Sequence, residues 1–165
     1  MSGLEIERKF LVRKDSGWKR LATSSTHIRQ GYFAATNTVR IRISDNEAFL
    51  TIKGPSADGG LSRYEFEKAI TPDEAQQLLR LCEPGIIDKR RYLVPHGGHT
   101  YEVDEFFGDN EGLVMAEVEL SSKDETVELP DFLGPEVTGD HRFYNKQMRH
   151  NPFKAWRETL PKEYR

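Results

Sequence analysis

The sequence predicts a mainly β domain of the α+β class, built on an antiparallel sheet with a few short helices. Three observations predict it. Apolar and charged residues alternate with period two through most of the chain, short turn-forming pairs separate several of these runs, and one stretch alone carries a complete set of helix signals. Eight strands follow, at residues 4–12, 27–35, 38–44, 47–54, 61–70, 87–95, 98–107 and 113–122.

The first strand, LEIERKFLV, sorts Glu5, Glu7 and Lys9 to one face and Ile6, Arg8 and Phe10 to the other. A weak helical pattern lies over 15–22. The second and third strands are rich in Ile, Val, Tyr and Thr, and Asp45-Asn46 makes a tight turn from the third into the fourth. The fifth strand ends at Thr71-Pro72-Asp73-Glu74, which supplies an N-cap, a proline at the first helical position and capping-box spacing. Ala75, Leu78, Leu79 and Cys82 then form one apolar stripe, with Gly85 as the stop. His96-Gly97-Gly98 joins the sixth and seventh strands, and the segment Gly108 to Gly112 precedes the eighth. A second weak helix is expected at 143–149, among Pro130, Pro135 and Pro152.

The chain has 165 residues, the length of one ordinary domain, with a core of about 4–149 and a Pro-interrupted, loosely held tail at 150–165. Its 24 Lys plus Arg stand against 27 Asp plus Glu, so no global field draws it to nucleic acid or to an anionic membrane. The single cysteine, Cys82, rules out an intramolecular disulfide and a Cys-rich zinc site, and reads as a small buried hydrophobe on its helix. The charged N-terminus carries no apolar signal region and no run approaches the about 18 apolar residues of a membrane span, so the expected compartment is the cytoplasm.

The alternation of the first strand recurs. Arg40 and Arg42 oppose Val39, Ile41 and Ile43; Thr51 and Lys53 oppose Leu50 and Ile52; Arg63, Glu65 and Glu67 oppose Tyr64 and Phe66. Lys89 and Arg91, Glu102 and Asp104, and Glu117 and Glu119 continue the charged face on the later strands. Two architectures satisfy this pattern. Either the charged side is the wet face of an open sheet, or the sheet closes with that side inward, where its charges must be paired, hydrated or met by a charged ligand. Periodicity alone does not choose between them.

Carboxylates at i and i+2 share a face within reach of one hard cation, and Glu5 with Glu7 and Glu117 with Glu119 are two such pairs. All-oxygen ligation points to magnesium or manganese rather than zinc. Arg40, Arg42, Lys53, Lys89 and Arg91 supply the contacts that phosphoryl oxygens prefer, so the combination suggests a metal-bound polyphosphate. The bland reading of any one pair is solvated surface; repetition along the chain is what favours a site. His96 and His99 flank a hairpin turn and match no zinc spacing, and the Gly-rich run 54–60 lacks the Gly-Lys-Ser/Thr of a P-loop.

Glu5-Ile6-Glu7-Arg8-Lys9 resembles the E-x-E-x-K signature of the CYTH superfamily, the triphosphate tunnel metalloenzymes. RQGY at 29–32, VRIR at 39–42, LTIKG at 50–54, GGLSRYEFE at 59–67, DKRRY at 88–92, YEVDEF at 101–106, MAEVEL at 115–120 and TGDHRFYNKQM at 138–148 resemble its successive segments in order. The resemblance implies an eight-stranded antiparallel β-barrel tunnel with a charged lumen and helices packed outside. It implies Mg²⁺ or Mn²⁺ held by Glu5, Glu7, Glu117 and Glu119, with Asp104 and Glu65 or Glu67 in support. Lys9, Arg40, Arg42, Lys53, Arg91 and Lys146 match positions that clasp the triphosphate, and Arg63 and Arg142 fall in matching stretches. Lys89, crowded by other cations, is the expected base for a water nucleophile, with Tyr32 hydrogen-bonding that water or Lys89.

The implied activity is metal-dependent hydrolysis of a small-molecule triphosphate, with inorganic tripolyphosphate favoured because no segment resembles a holder for a base or thiazole ring. The family's adenylyl cyclases, thiamine triphosphatases and RNA triphosphatases share the tunnel, and a non-catalytic polyphosphate sensor would carry similar ligands. A homodimer is compatible with all of these.

Overall fold

The computed structural model describes residues 3–165. Its strands are β1 (Leu4–Val12), β2 (Ser24–Tyr32), β3 (Thr38–Ser44), β4 (Glu47–Lys53), β5 (Ser62–Ile70), β6 (Ile87–His96), β7 (His99–Phe106), β8 (Val114–Glu119) and β9 (Leu133–Glu136). Neighbours pair antiparallel in the order β5-β4-β3-β2-β6-β7-β8-β1-β9, and β5 also pairs with β1, so the first eight strands close into a barrel. Closure decides between the two architectures left open by periodicity: the charged face is the lumen.

The closing seam is short. Leu4, Glu5 and Ile6 pair with Tyr64, Arg63 and Ser62 of β5, and further along the same edge Phe10 and Val12 pair with Glu136 and Leu133 of β9. The seam is extended where the Lys9 amide donates to Thr138 Oγ1 at 2.9 Å and the Val137 amide donates to the Lys9 carbonyl at 2.8 Å. β9 therefore covers backbone groups that would otherwise leave β1 with an open edge. Four residues containing Gly134 and Pro135 carry no alternation, which is why the sequence reading lacks this strand.

Other departures have similar local causes. β2 begins at Ser24 rather than at 27, because Ser24, Ser25 and Thr26 pair with Leu93, Tyr92 and Arg91 of β6 although their side chains are polar. The helix expected at 15–22 is a 3-10 turn, Trp18–Leu21, preceded by Gly17 at φ 74°. The one expected at 143–149 is divided between a 3-10 turn, His141–Phe143, and a single α turn, α2 (Asn145–Met148). α1 (Pro72–Leu81) forms with its capping box: the Glu74 amide donates to Thr71 Oγ1 at 3.1 Å, and the Thr71 amide donates to Glu74 Oε1 at 2.8 Å.

Three apolar clusters hold the barrel. Ala75 of α1 packs on Ile41, Ile43 and Ala48 outside β3 and β4. Phe10, Val94, Tyr101, Val103, Ala116 and Val118 turn outward from β1, β6, β7 and β8 and are covered by Trp18, Phe132 and Leu133. The third cluster closes one end of the tunnel. Leu11, Ile87, Phe106 and Met115 stand one inward-facing step beyond the charged positions of their strands, as Tyr32 stands beyond Gln30, and they meet Phe143, Met148, Phe153, Trp156 and Tyr164. Residues 150–165 are thus not the loosely held tail expected from their prolines: Phe153 is fully buried, and Trp156 and Tyr164 are buried with it. Short 3-10 turns at Phe153–Ala155, Arg157–Thr159 and Lys162–Tyr164 let a Pro-broken segment deliver three aromatic rings without a long helix.

Candidate active site: the charged tunnel

The tunnel encloses a cavity of about 380 Å³ lined from every strand of the barrel except by their apolar faces. β1 brings Glu5, Glu7 and Lys9; β2 brings Gln30 and Tyr32; β3 brings Arg40 and Arg42; β4 ends in Lys53. β5 adds Arg63, Glu65 and Glu67, β6 Lys89 and Arg91, β7 Glu102, and β8 Glu117 and Glu119. His141, Tyr144, Asn145 and Lys146 reach the cavity from the turn and helix that follow β9.

Its charges form linked pairs. Lys53 Nζ donates to both oxygens of Glu5 at 2.9 Å and lies 3.4 Å from Glu65, while Arg63 Nε is 3.7 Å from Glu5. Lys9 Nζ sits between Glu7 at 3.8 Å and Glu117 at 3.9 Å, and 4.4 Å from the centre of the Tyr144 ring. Arg40 Nη2 donates to Thr51 Oγ1 at 3.1 Å and lies 3.6 Å from Glu67, yet its Nε is buried with no partner. Lys146 Nζ donates to the carbonyls of Ala35 and Asn37 at 3.0 and 3.1 Å, which ties the helix side of the cavity to the loop after β2.

Lys89 and Asp104 are almost wholly buried, 2.8 Å apart. Asp104 also accepts two hydrogen bonds from Arg91, at 2.8 and 2.9 Å, and Arg91 reaches Glu102 at 3.2 Å. Asp104 therefore stands behind two tunnel cations and does not itself line the cavity. Burial pushes Lys89 down to about 7; the Asp104 carboxylate opposes this, and Arg91 and Arg42 reinforce it. Burial alone would raise Asp104, but Arg91 and Lys89 outweigh it and hold the carboxyl below its ordinary value.

The acids of β1 and β8 divide in the opposite directions. Burial, with Glu117 and Glu5 nearby, raises Glu7 to about 8. Burial also acts on Glu117, but Lys9, Arg91 and Lys89 overcome it and hold its carboxyl well below the ordinary value.

Of the residues expected from sequence, Arg142 alone among the cations lies apart from the lining. It pairs with Asp140 at 2.8 Å and stacks over Phe143 and Trp156. Conversely, Gln30, Tyr144 and Asn145 belong to the cavity or its hydrogen bonds without having been singled out, as do Thr51 and Glu102, which the sequence placed on the charged face without giving them a role. Gln30, Thr51 and Glu102 occupy inward strand positions, so strand parity contains the signal; Asn145 and Tyr144 lie outside any strand, where no periodicity marks them.

A closed antiparallel barrel whose lumen holds ordered rows of basic and acidic side chains defines a tunnel protein built to enclose a small, highly charged anion. The chain matches the CYTH domain over residues 3–146, and it belongs to that family. It is 45% identical over 159 residues to an inorganic triphosphatase of Acetivibrio thermocellus, covering 94% of this chain and 99% of the relative. To an inorganic triphosphatase of Nitrosomonas europaea it is 35% identical over 151 residues, covering 87% and 95%. A crystal structure of an inorganic triphosphatase superposes with a TM-score of 0.62 at 30% identity, covering 88% of this chain and 93% of the other.

Membership in the family implies a divalent metal. Among the described residues, no three His, Cys, Asp or Glu side chains are gathered closely enough to hold an ion as they stand. The donor chemistry nevertheless fits one. Glu7 pairs across the sheet with Glu119, and Lys9 with Glu117, so β1 and β8 place Glu5, Glu7, Glu117 and Glu119 along one wall with oxygen donors only.

Proposed function

We propose that the chain is an inorganic triphosphatase, hydrolysing tripolyphosphate to pyrophosphate and orthophosphate with Mg²⁺ or Mn²⁺ as the metal. The observation that carries this reading is the lumen itself: cations from β1, β3, β4, β5 and β6 converge on one cavity beside the carboxylate wall. The relatives named above support the choice of substrate.

In this reading Lys9, Arg40, Arg42, Lys53, Arg63, Arg91 and Lys146 grip the phosphoryl oxygens, and the unpartnered Arg40 Nε gains an acceptor there. Glu5, Glu7, Glu117 and Glu119 hold the metal, with Glu65 and Glu67 near the same mouth. When bound, the metal neutralises charge on phosphoryl oxygens. Asp104 serves by orienting Lys89 and Arg91. Neutral Lys89 takes a proton from water as the water oxygen bonds to a terminal phosphorus and the bridging P–O bond breaks, its electron pair leaving with pyrophosphate. Tyr32 donates a hydrogen bond to the water or to a phosphoryl oxygen. Cys82, the lone thiol, and the reliance on a metal-bound polyphosphate fit a cytoplasmic setting.

The test measures orthophosphate, pyrophosphate and cyclic AMP from tripolyphosphate, thiamine triphosphate and ATP, with either metal or EDTA, and with Glu117→Gln as a control. Orthophosphate release that is fastest from tripolyphosphate and lost with EDTA and in Glu117→Gln is expected. Cyclic AMP from ATP would make it a cyclase; a raised Tm with tripolyphosphate but no product would make it a binding module.

A further inference from the structure

We infer that Gln30 and Asn145 are positioning residues that set the direction of the hydrogen bonds around Lys89 and Tyr32, an inference that rests on the triphosphatase reading. The direction originates at Arg42, which keeps its charge at neutral pH and can only donate. Arg42 Nε donates to Gln30 Oε1 at 2.8 Å, which fixes the orientation of the Gln30 amide. Gln30 is fully buried, and its Nε2 has two hydrogens with two acceptors: Tyr32 Oη at 2.7 Å and Asn145 Oδ1 at 3.1 Å.

Two consequences follow from donor and acceptor counting. Because Tyr32 Oη already accepts from Gln30, its own hydrogen is left to point toward the cavity, so Tyr32 acts there as a donor. Because Asn145 Oδ1 accepts from Gln30, the same oxygen is presented to Lys89 Nζ, 2.9 Å away. A flipped Asn145 would set an N–H against both Gln30 and Lys89. On another side Lys89 Nζ makes an ion pair with Asp104 at 2.8 Å. With Asn145, Asp104 and the carbon stem on three sides of Nζ, the remaining side is left for the tunnel that Lys89 lines. In the neutral amine that position is the lone pair, which receives the water proton in the hydrolytic step. Asn145 thus acts only through Lys89, by determining where the base points.

The experiment compares Asn145→Ala, Asn145→Asp, Gln30→Ala and Gln30→Glu in the full chain and again in a Lys89→Ala background. Asn145→Ala is expected to lower kcat by about 10- to 100-fold with KM within about twofold, as for a misaimed reacting group. Asn145→Asp, which keeps an acceptor for Lys89, should recover part of that loss. Gln30→Glu, nearly the same shape but unable to donate to Tyr32, should fail as Gln30→Ala does. In the Lys89→Ala background, Asn145→Ala should cause no further loss. A readout free of turnover is the Gln30 side-chain amide in the metal-free protein, expected to be protected from hydrogen exchange and to lose protection in Asn145→Ala. Equal losses in both backgrounds, wild-type rates in Gln30→Glu, or an unprotected Gln30 amide would overturn the inference. A wild-type chain that releases no product overturns the triphosphatase reading instead, while the amide measurement still reports on the network.

Discussion

The two walls of the tunnel differ in how far their charges are matched without a ligand. On the β2–β6 wall, Arg42, Gln30, Tyr32, Asn145, Lys89, Asp104 and Arg91 form an unbroken chain of donors meeting acceptors. On the β1–β8 wall, Glu7 is pushed up and Glu117 held down by the charges around them, and elsewhere in the lumen Arg40 of β3 keeps a buried donor unused. A fully matched wall holds its geometry before substrate arrives, which is what proton transfer requires. An unmatched wall costs stability until ions fill it, which is what binding exploits. Chemistry and binding are thereby separated within one lumen, and each variant below should disturb one wall more than the other.

Lys89→Ala should show the largest effect, a fall in kcat of about 10²- to 10⁴-fold, with tripolyphosphate still raising Tm in a thermal-shift assay. Because Lys89 must be neutral to accept a proton and titrates near 7, kcat should fall as pH drops below about 7 and level off above it. A raised KM with unchanged kcat would erase the distinction between the walls.

Phe153→Ala comes next. Its ring is fully buried in the cluster that joins Tyr32, Ile87 and Phe106 beside the matched wall to Leu11 and Met115 of β1 and β8. Truncation should destabilise the chain by about 3–5 kcal/mol in denaturant unfolding. In the fraction that remains folded, divalent-cation affinity should stay near that of the wild type while kcat drops, since the acids of β1 and β8 do not belong to this cluster. Loss of both together would mean that the walls are not independent.

Glu7 gives a smaller, graded effect. Its folded-state value of about 8 lies above the ordinary 4.5, so between these values the folded chain holds a proton that the unfolded chain has released. That contribution to metal-free stability is fully present below pH 4.5 and is lost as pH rises through about 8. Lys89 has the opposite sign: depressed to about 7, it adds stability as pH rises from about 7 toward 10.5. Cation binding must expel the Glu7 proton, so apparent affinity should gain up to about tenfold per pH unit below about 8. Calorimetry in buffers of different ionisation enthalpy counts the released proton, and Glu7→Gln should abolish the release. A pH-independent affinity would show that the metal bypasses Glu7.

The matched wall was harder to read from sequence than the unmatched one, for a physical reason. Alternation on a strand exposes charge, so Glu5, Glu7, Lys9, Glu117 and Glu119 announce themselves by type and parity. Gln30 shares that parity but is uncharged, and Asn145 sits on a single helical turn where neither period two nor 3.6 can develop. Barrel closure was likewise invisible to periodicity, because a wet face and a filled lumen have the same pattern; the ordered family-like segments supplied it. The tail was misjudged because prolines break helices without preventing burial: Phe153, Trp156 and Tyr164 each need only a short turn to reach the tunnel end.

Arg142 is the smallest and sharpest test of the comparison, since sequence resemblance assigns it to the phosphate clasp and the structure turns it outward. Its guanidinium makes paired contacts with Asp140 at 2.8 to 3.3 Å and lies over Trp156, with the side chain 45% exposed. A cation already paired at the surface has little to lose when substrate enters the lumen, and such a pair is worth about 0–1 kcal/mol. Arg142→Ala should therefore change kcat and KM by no more than about twofold, where Arg40→Ala, removing a lumen cation with an unused buried donor, should raise KM for tripolyphosphate well beyond that. If Arg142→Ala raised KM as Arg40→Ala does, the segment at 140–146 would have to swing Arg142 off Asp140 and into the cavity when substrate binds. The clasp would then be completed by the ligand on this side too, and the division into a finished wall and an unfinished one would hold only for the empty tunnel.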